Sequence, residues 1–331
     1  MSTPKKIFQS ASRNETHCNC TALYCAKYVH KIPDIRNDGA SRGSVCHDVL
    51  EPLLKPRHKA IYSAAVHHQN CHEVPALWRY IRLLGRKYHV ADEENLGMID
   101  DFIMVALNNS FFGPQGTIET FGEREFSIEV DEDGKRYAIR GFIDASFIVK
   151  DKRGLLISVR DYKGSAKIFT EEKLSDNMQA KIYQLALKRL HPDISRREFK
   201  FGFLRFPKKY WQESPVFTDE QLEGFEYVLT EFQERLENFT AANALDDVAA
   251  KDPERQWLCG RAGTKKDGKP MWMCGARLPM RYDVAVKNGE IVRSAFFREG
   301  LLPLKEGETV EERSYSGCPV WFTPAGRPIQ S

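Results

Sequence analysis

No apolar run in this chain approaches the ~20 residues that a membrane-spanning helix requires; the longest, around Phe102 to Leu107, stops far short. The start, Met1-Ser-Thr-Pro-Lys-Lys6, carries charge with no apolar segment behind it. No secretory signal is read there, and a reducing cytoplasm (the host cytoplasm, if the chain is viral) is the expected compartment. No Gly-x-Ser-x-Gly elbow and no Gly-x-x-x-x-Gly-Lys-Ser/Thr loop occurs, so serine-hydrolase chemistry and ATP hydrolysis within the chain are not expected. Charge of one sign is lacking too: 49 Lys+Arg stand against 46 Asp+Glu, a formal +3 in 331 residues, which by itself names no partner. There is no internal repeat and no low-complexity stretch. Cysteine is absent from the whole middle of the chain: the eight fall at Cys18, Cys20, Cys25, Cys46 and Cys71, then at Cys259, Cys274 and Cys318.

With 42% hydrophobic and 11% aromatic residues, the composition is that of a globular chain of one large domain or two ordinary ones. From Ser10 to about Leu107 the pattern is mostly helical, interrupted at Pro33, Pro52 and Pro75, with a Gly-rich turn expected at Gly39 to Gly43. From Arg124 the period becomes two. Strands are expected over Glu125 to Val130, Arg136 to Val149 and Leu155 to Lys163, joined by turns at Asp131 to Gly134 and Asp151 to Gly154, as a three-stranded antiparallel meander. Helical spacing follows over Glu171 to Leu190, a strand over Phe199 to Phe206 and a long helix over Thr218 to about Ala244. This order predicts an α/β fold with a mixed sheet, divided into a helical part (1–123), a core (124–250) and a Cys-bearing extension (251–331).

Pairing the hairpin arms symmetrically about the Asp151–Gly154 turn sets Asp144 opposite Asp161, and Lys163, two residues on, shares that face. Two carboxylates side by side on a sheet repel unless a cation lies between them. Mg²⁺ or Mn²⁺ would supply that charge, with the lysine to orient or deprotonate a water. A one-residue slip would break this arrangement, and a lone Asp-x-Lys reads as an exposed ion pair. The context is more specific. Gln179-Ala-Lys-Ile-Tyr183 sets Gln179 and Tyr183 on one helical face, and Gly43-Ser-Val-Cys-His47 precedes the hairpin, with Glu51 one turn beyond.

In order, Gly43-x-x-x-His47, Gly141-x-x-Asp144, Asp161-Tyr-Lys163 and Gln179-x-x-x-Tyr183 resemble the nuclease motifs of the PD-(D/E)XK superfamily, in particular its RecB-like, AddB-type exonuclease branch. Ser10-Ala-Ser-Arg13, Cys20 and Lys27-Tyr28 resemble the opening of that branch. The run Lys31-Ile-Pro-Asp34, Asn37-Asp-Gly-Ala40 and Arg42-Gly-Ser-Val-Cys-His47 is similar to small phage nucleases. The resemblance implies a restriction-endonuclease-like sheet flanked by helices, and metal-dependent DNA exonuclease activity in replication, recombination or DNA degradation. It also implies His47, Asp144, Asp161 and the Tyr162 carbonyl as metal ligands, Lys163 as the residue that activates water, and Gln179 and Tyr183 as positioning groups. The Pro of the superfamily name is missing before Asp144.

The same resemblance implies a [4Fe-4S] cluster with one N-terminal and three C-terminal cysteines, matched here by Cys20, Cys259, Cys274 and Cys318; Zn²⁺ on the same four thiolates has a similar footprint. His67, His68, Cys71 and His72 offer i,i+4 pairs but read better as a polar helix surface. Lys55-Pro-Arg57-His58, Arg79-Tyr80 with Arg82, Arg86-Lys87-Tyr88 and Lys208-Lys209-Tyr210-Trp211 interleave cations with aromatics, as single-stranded or linear duplex DNA requires. Helicase activity would come from a recombination partner. The rival readings are a non-catalytic nucleic-acid-binding module with a structural metal–thiolate site, and a structure-specific endonuclease.

Overall fold

The computed structural model describes residues 7–35, 37–264, 268–296, 301 and 303–329. Its helices are α1 (Ala11–Asn19), α2 (Thr21–Tyr24, continued by a π-helix over Cys25–Val29), α3 (Asp38–Leu53), α4 (Lys59–His68), α5 (Pro75–Lys87), α6 (Glu93–Leu107), α7 (Glu171–Ser175), α8 (Met178–Leu190) and α9 (Asp219–Glu237). The strands are β1 (Thr117–Phe121), β2 (Arg124–Glu132), β3 (Lys135–Ile143), β4 (Ala145–Asp151), β5 (Gly154–Lys163), β6 (Arg196–Phe203), β7 (Trp211–Glu213), β8 (Arg261–Thr264), β9 (Pro270–Trp272), β10 (Met280–Lys287), β11 (Glu290–Phe296) and β12 (Thr309–Tyr315). Among the described residues no helix is long and apolar enough to cross a membrane. The chain divides into a larger unit, Lys6–Ala11 with Arg36–Gln233, and a smaller one containing Ser12–Ile35 and Glu234–Ser331.

The larger unit is built on a five-stranded mixed sheet in the order β1-β4-β5-β6-β7. The β5–β6 pair is parallel and its neighbours antiparallel. Strand alternation divides β5 between two cores. Tyr162 joins Phe147 and Val149 against Val45, Val49 and Leu50 of α3 and Ile99 and Ile103 of α6. Ile157 and Val159 join Phe199, Phe201 and Phe203 against Ile182, Leu185 and Ala186 of α8 and Leu222 and Leu229 of α9. The architecture is thus the mixed α/β layering expected, with helices on both faces.

The hairpin register agrees with the symmetric pairing, from Asp151↔Gly154 to Ala145↔Arg160. The meander does not form as a single three-stranded sheet. The strand expected from Arg136 to Val149 breaks at Asp144: β3 pairs with β2 as a separate two-stranded ribbon, and β4 pairs with β5 and β1. Asp144 therefore reaches the site from a bend between two strands. The expected Gly39–Gly43 turn also gives way, to the first turns of α3. The Asn37 side chain caps that helix by accepting from the Ala40 amide, and burial of Val45, Cys46, Val49 and Leu50 outweighs the low helix propensity of glycine. The helix expected from Glu171 to Leu190 is two, because Asn177 caps a new start by accepting from the Ala180 amide.

In the smaller unit β10 lies between β11 and β12, more regular structure than the sequence beyond Pro253 suggests. Its apolar clusters are Ala26, Ile32, Tyr282, Val284 and Tyr315, and Cys20, Ala22, Val248, Ala249 and Cys318.

Gly141 shows why its motif position holds glycine. A Cβ there would lie 2.6 Å from the Phe126 ring and 3.4 Å from that of Tyr183. Gly141→Ala should therefore cost about 1–3 kcal/mol of stability through overpacking. Urea denaturation measures this, and an unchanged midpoint would count against the packing described.

Candidate active site

Four elements of the larger unit deliver the predicted residues to one end of β5. Odd-numbered side chains of β5 face α8, so Asp161 and Lys163 point toward that helix. On α8, Gln179 and Tyr183 are one turn apart. Gln179 Nε2 donates to Asp161 Oδ1 at 2.5 Å and to the Tyr183 hydroxyl at 3.2 Å, and its Oε1 accepts from Lys163 Nζ at 2.8 Å. Tyr183 in turn donates to the Phe142 carbonyl at 2.5 Å, two residues before the bend. Lys163 Nζ also lies 2.7 Å from Asp161 Oδ2. That buried oxygen accepts no directed hydrogen bond beyond this ion pair.

At the bend, Asp144 Oδ2 accepts from the Tyr162 amide at 2.8 Å. The amide and carbonyl of one strand residue lie on the same edge, so the Tyr162 carbonyl also faces the side where β3 and β4 part. Asp144 Oδ1 is 3.1 Å from His47 Nδ1, which α3 supplies from the opposite layer. The six side chains thus form two polar sets at one end of β5, Asp161, Lys163, Gln179 and Tyr183 in one and Asp144 with His47 and the Tyr162 amide in the other.

The electrostatics follow from burying two carboxylates together. Burial pushes the Asp161 carboxyl up, and the Asp144 charge adds to this against the lowering effect of Lys163. Burial opposes a charge on His47, but the adjoining Asp144 carboxylate, by charge and hydrogen bond, with Asp161 behind it, carries the imidazole up to about 9. Both cations thus sit against the carboxylates. Among the described residues no group of three or more His, Cys, Asp or Glu side chains stands as a ready metal site.

Residues 9–261 match the family described as the PD-(D/E)XK nuclease superfamily. The chain belongs to that superfamily. Its mixed sheet flanked by helices agrees with the restriction-endonuclease-like fold, and PD-(D/E)XK nucleases typically use Mg²⁺ or Mn²⁺ and act on DNA. No curated protein matches the chain.

The sequence missed Glu123, in the connection between β1 and β2. It is exposed, and partial desolvation and the charges of Glu51, Asp144 and Asp48 raise its carboxyl against the lowering effect of His47, so it lies within electrostatic reach of the site. No local pattern marks it.

Elsewhere the candidates separate. The four thiols Cys20, Cys259, Cys274 and Cys318 come within electrostatic reach of one another in the smaller unit. Burial lifts Cys259, Cys274 (to about 11) and Cys318 (to about 12), and in each case charge on others of the four adds to it. Cys18 is exposed, and Cys46 and Cys71 are core residues of the larger unit. The helical pairs at His67–His72 do not form, because α4 ends at His68 and Gln69 turns left-handed. Asp100 instead accepts from the Cys71 amide at 2.7 Å and meets His72 Nδ1 at 3.1 Å. Tyr210 is buried, and Trp211 stacks on the Arg160 guanidinium at 4.5 Å, so neither ring is a free platform for bases.

The raised His47 value predicts a pH dependence in metal-free protein. Its folded pKa of about 9 exceeds the ordinary 6.5, so the stabilisation is complete below about pH 6.5 and is lost as pH rises through about 9. In EDTA the urea midpoint should fall across this window, and His47→Gln should remove most of the slope. An identical slope in the variant would refute the pairing.

Proposed function

We propose that this chain is a divalent-metal-dependent exonuclease of the RecB-like, AddB type, hydrolysing phosphodiester bonds of linear DNA in recombination, replication or DNA degradation. The observation that carries the reading is the convergence of two polar sets at one end of β5, Asp161 with Lys163 and Gln179, and Asp144 with His47, whose two carboxylates act on each other electrostatically. Two carboxylates and a backbone carbonyl are the hard oxygen donors that Mg²⁺ or Mn²⁺ prefers, with the His47 imidazole beside them as a softer nitrogen donor. Asp161 Oδ2, buried and engaged only by the Lys163 ammonium, already faces a cation.

Asp144, Asp161, His47 and the Tyr162 carbonyl would hold the metal, which when bound offsets the negative charge gained in the transition state and acidifies a water. Gln179 fixes the orientation of Asp161 and the reach of Lys163 together, since its amide bonds to both. Lys163 then presents its ammonium to the attacking water or to a phosphate oxygen. Tyr183 ties Gln179 to the Phe142 carbonyl, so the network is anchored on β3 as well as on β5. His47 must release the proton it shares with Asp144 before it can act as a ligand.

The test uses 5′- and 3′-labelled linear DNA and a covalently closed circle with Mg²⁺ or Mn²⁺. Wild type should consume linear DNA from an end and leave the circle, and Lys163→Ala, checked for folding by circular dichroism, should be slower by about 10²-fold or more. A wild type that binds DNA without cutting it would favour the binding-module reading; a cut circle would favour an endonuclease.

We further propose that Cys20, Cys259, Cys274 and Cys318 hold a [4Fe-4S] cluster. Their electrostatic reach of one another supports this, as does the raising of the Cys259, Cys274 and Cys318 thiols, which keeps those three neutral only while no cation is present. Anaerobically purified protein should be brown and contain about four iron and four sulfide per chain, with Cys274→Ser losing the absorbance. Colourless protein with one zinc would replace the cluster by Zn²⁺, and protein with neither would refute both.

A further inference from the structure

Arginines of this chain are commonly engaged by carboxylates: Arg189 by Glu132 and Glu226, Arg196 by Asp151, Arg255 by Asp247 and Asp252. Three on α5 are not. Arg79, Arg82 and Arg86 are exposed and have no ion pair or side-chain hydrogen bond among the described residues. Spaced i, i+3 and i+7, they follow the outer side of a helix whose inner side is buried at Leu77, Ile81 and Leu84. With Trp78 and His72 they line an open groove of about 470 Å³. The carboxylates at its end are occupied, Asp100 by the Cys71 amide and His72, Glu73 by His72 at 3.8 Å.

Three uncompensated guanidinium groups in a row attract a polyanion. Seven residues of helix rise about 10.5 Å, and one DNA strand carries a phosphate about every 3.4 Å of axis, so the row spans about three phosphate-to-phosphate steps. Planar guanidinium forks suit phosphate oxygens. The helix is also tied to the catalytic layer. The Tyr80 hydroxyl donates to the Asp48 carbonyl at 3.3 Å, and Lys87 and the Tyr88 hydroxyl both donate to the Asp48 carboxylate, at 3.0 and 2.9 Å. Asp48 follows His47 on α3.

We propose that the outer face of α5 is a DNA-backbone-binding site outside the catalytic centre, in which Arg79, Arg82 and Arg86 hold the phosphates of a strand whose scissile bond lies at the Asp161 network. This rests on the nuclease reading above. The experiment is fluorescence anisotropy of the full chain with a labelled 30-nucleotide single strand and the corresponding duplex, in EDTA, over 50–300 mM salt. R79Q/R82Q/R86Q should weaken binding at least about tenfold near 150 mM, and should reduce the slope of log Kd against log salt by about 2 to 3. The triple Lys variant should retain most of the affinity, which shows that the fold is intact. A control triple, K150Q/K152Q/R153Q, removes the same charge from the exposed β4–β5 turn and should leave the slope within about 1 of wild type.

Wild-type affinity and slope in the α5 triple, an equal loss in the control triple, or a wild type that binds no DNA would each overturn the site. A wild type that binds through these arginines yet cuts nothing with Mg²⁺ or Mn²⁺ would instead overturn the nuclease reading and leave the site standing.

Discussion

Two carboxylates held together at the end of a buried strand are the constraint around which the larger unit is organised. Their repulsion has to be offset, and the chain places a cation on each: Lys163 on Asp161 and the imidazole of His47 on Asp144. Burial strengthens both the repulsion and the attraction, because the dielectric that would weaken them is excluded. The upward displacement of both His47 and Asp161 has this one origin. His47 holds its proton more tightly because carboxylates surround it, and Asp161 is harder to ionise because it is buried beside one. A divalent cation at the same place would do the work of both, and its uptake would then be coupled to proton release from His47 by charge balance.

The same alternation that serves chemistry on one side of β5 serves packing on the other. Asp161 and Lys163 face α8; Arg160 and Tyr162 face the α3–α6 layer. Arg160 is buried as a cation and is made tolerable there by the rings of Phe147 and Trp211, each 4.5 Å away, and by the Ser110 and Phe111 carbonyls. Trp211 is thereby committed to structure. A strand so occupied on both faces cannot slip by one residue without burying Lys163 in one core and exposing Tyr162 in the other, so packing as well as pairing fixes the register on which the site depends.

What could be read in the sequence was whatever a fixed geometric period determines. The i,i+2 relation of Asp161 and Lys163 and the i,i+4 relation of Gln179 and Tyr183 hold in any strand and any helix, and a tight Asp151–Gly154 turn leaves one symmetric pairing. The break at Asp144 was not legible, since it arises from two sheets competing for one chain segment: β3 follows β2, while β4 is held by β5 and β1. Local composition does not register that competition. The Gly39–Gly43 segment misled for the related reason that helix propensity is a weak prior beside the burial of Val45, Val49 and Leu50. Glu123 and the burial of Tyr210 are long-range outcomes with no short-range signature.

The cysteines pose a different balance. Free thiols pack as small apolar groups, so the placing of Cys20 and Cys318 in the core with Cys259 and Cys274 half-buried needs no ligand to be tolerated. Their origin in the chain matters more. Cys20 comes from near one end and Cys259, Cys274 and Cys318 from near the other, with Arg36–Gln233 between them in the sequence. A bond across so long a loop removes more conformational freedom from the unfolded chain than a local one, although the gain grows only with the logarithm of loop length. A centre held by these four thiolates would therefore stabilise the fold mainly by joining distant segments. Its loss would be felt first as weakened docking of Ser12–Ile35 on Glu234–Ser331, whose own contacts include the Tyr282 hydroxyl donating to the His30 carbonyl at 2.6 Å and the Thr21 hydroxyl donating to the Asp247 carbonyl at 2.8 Å.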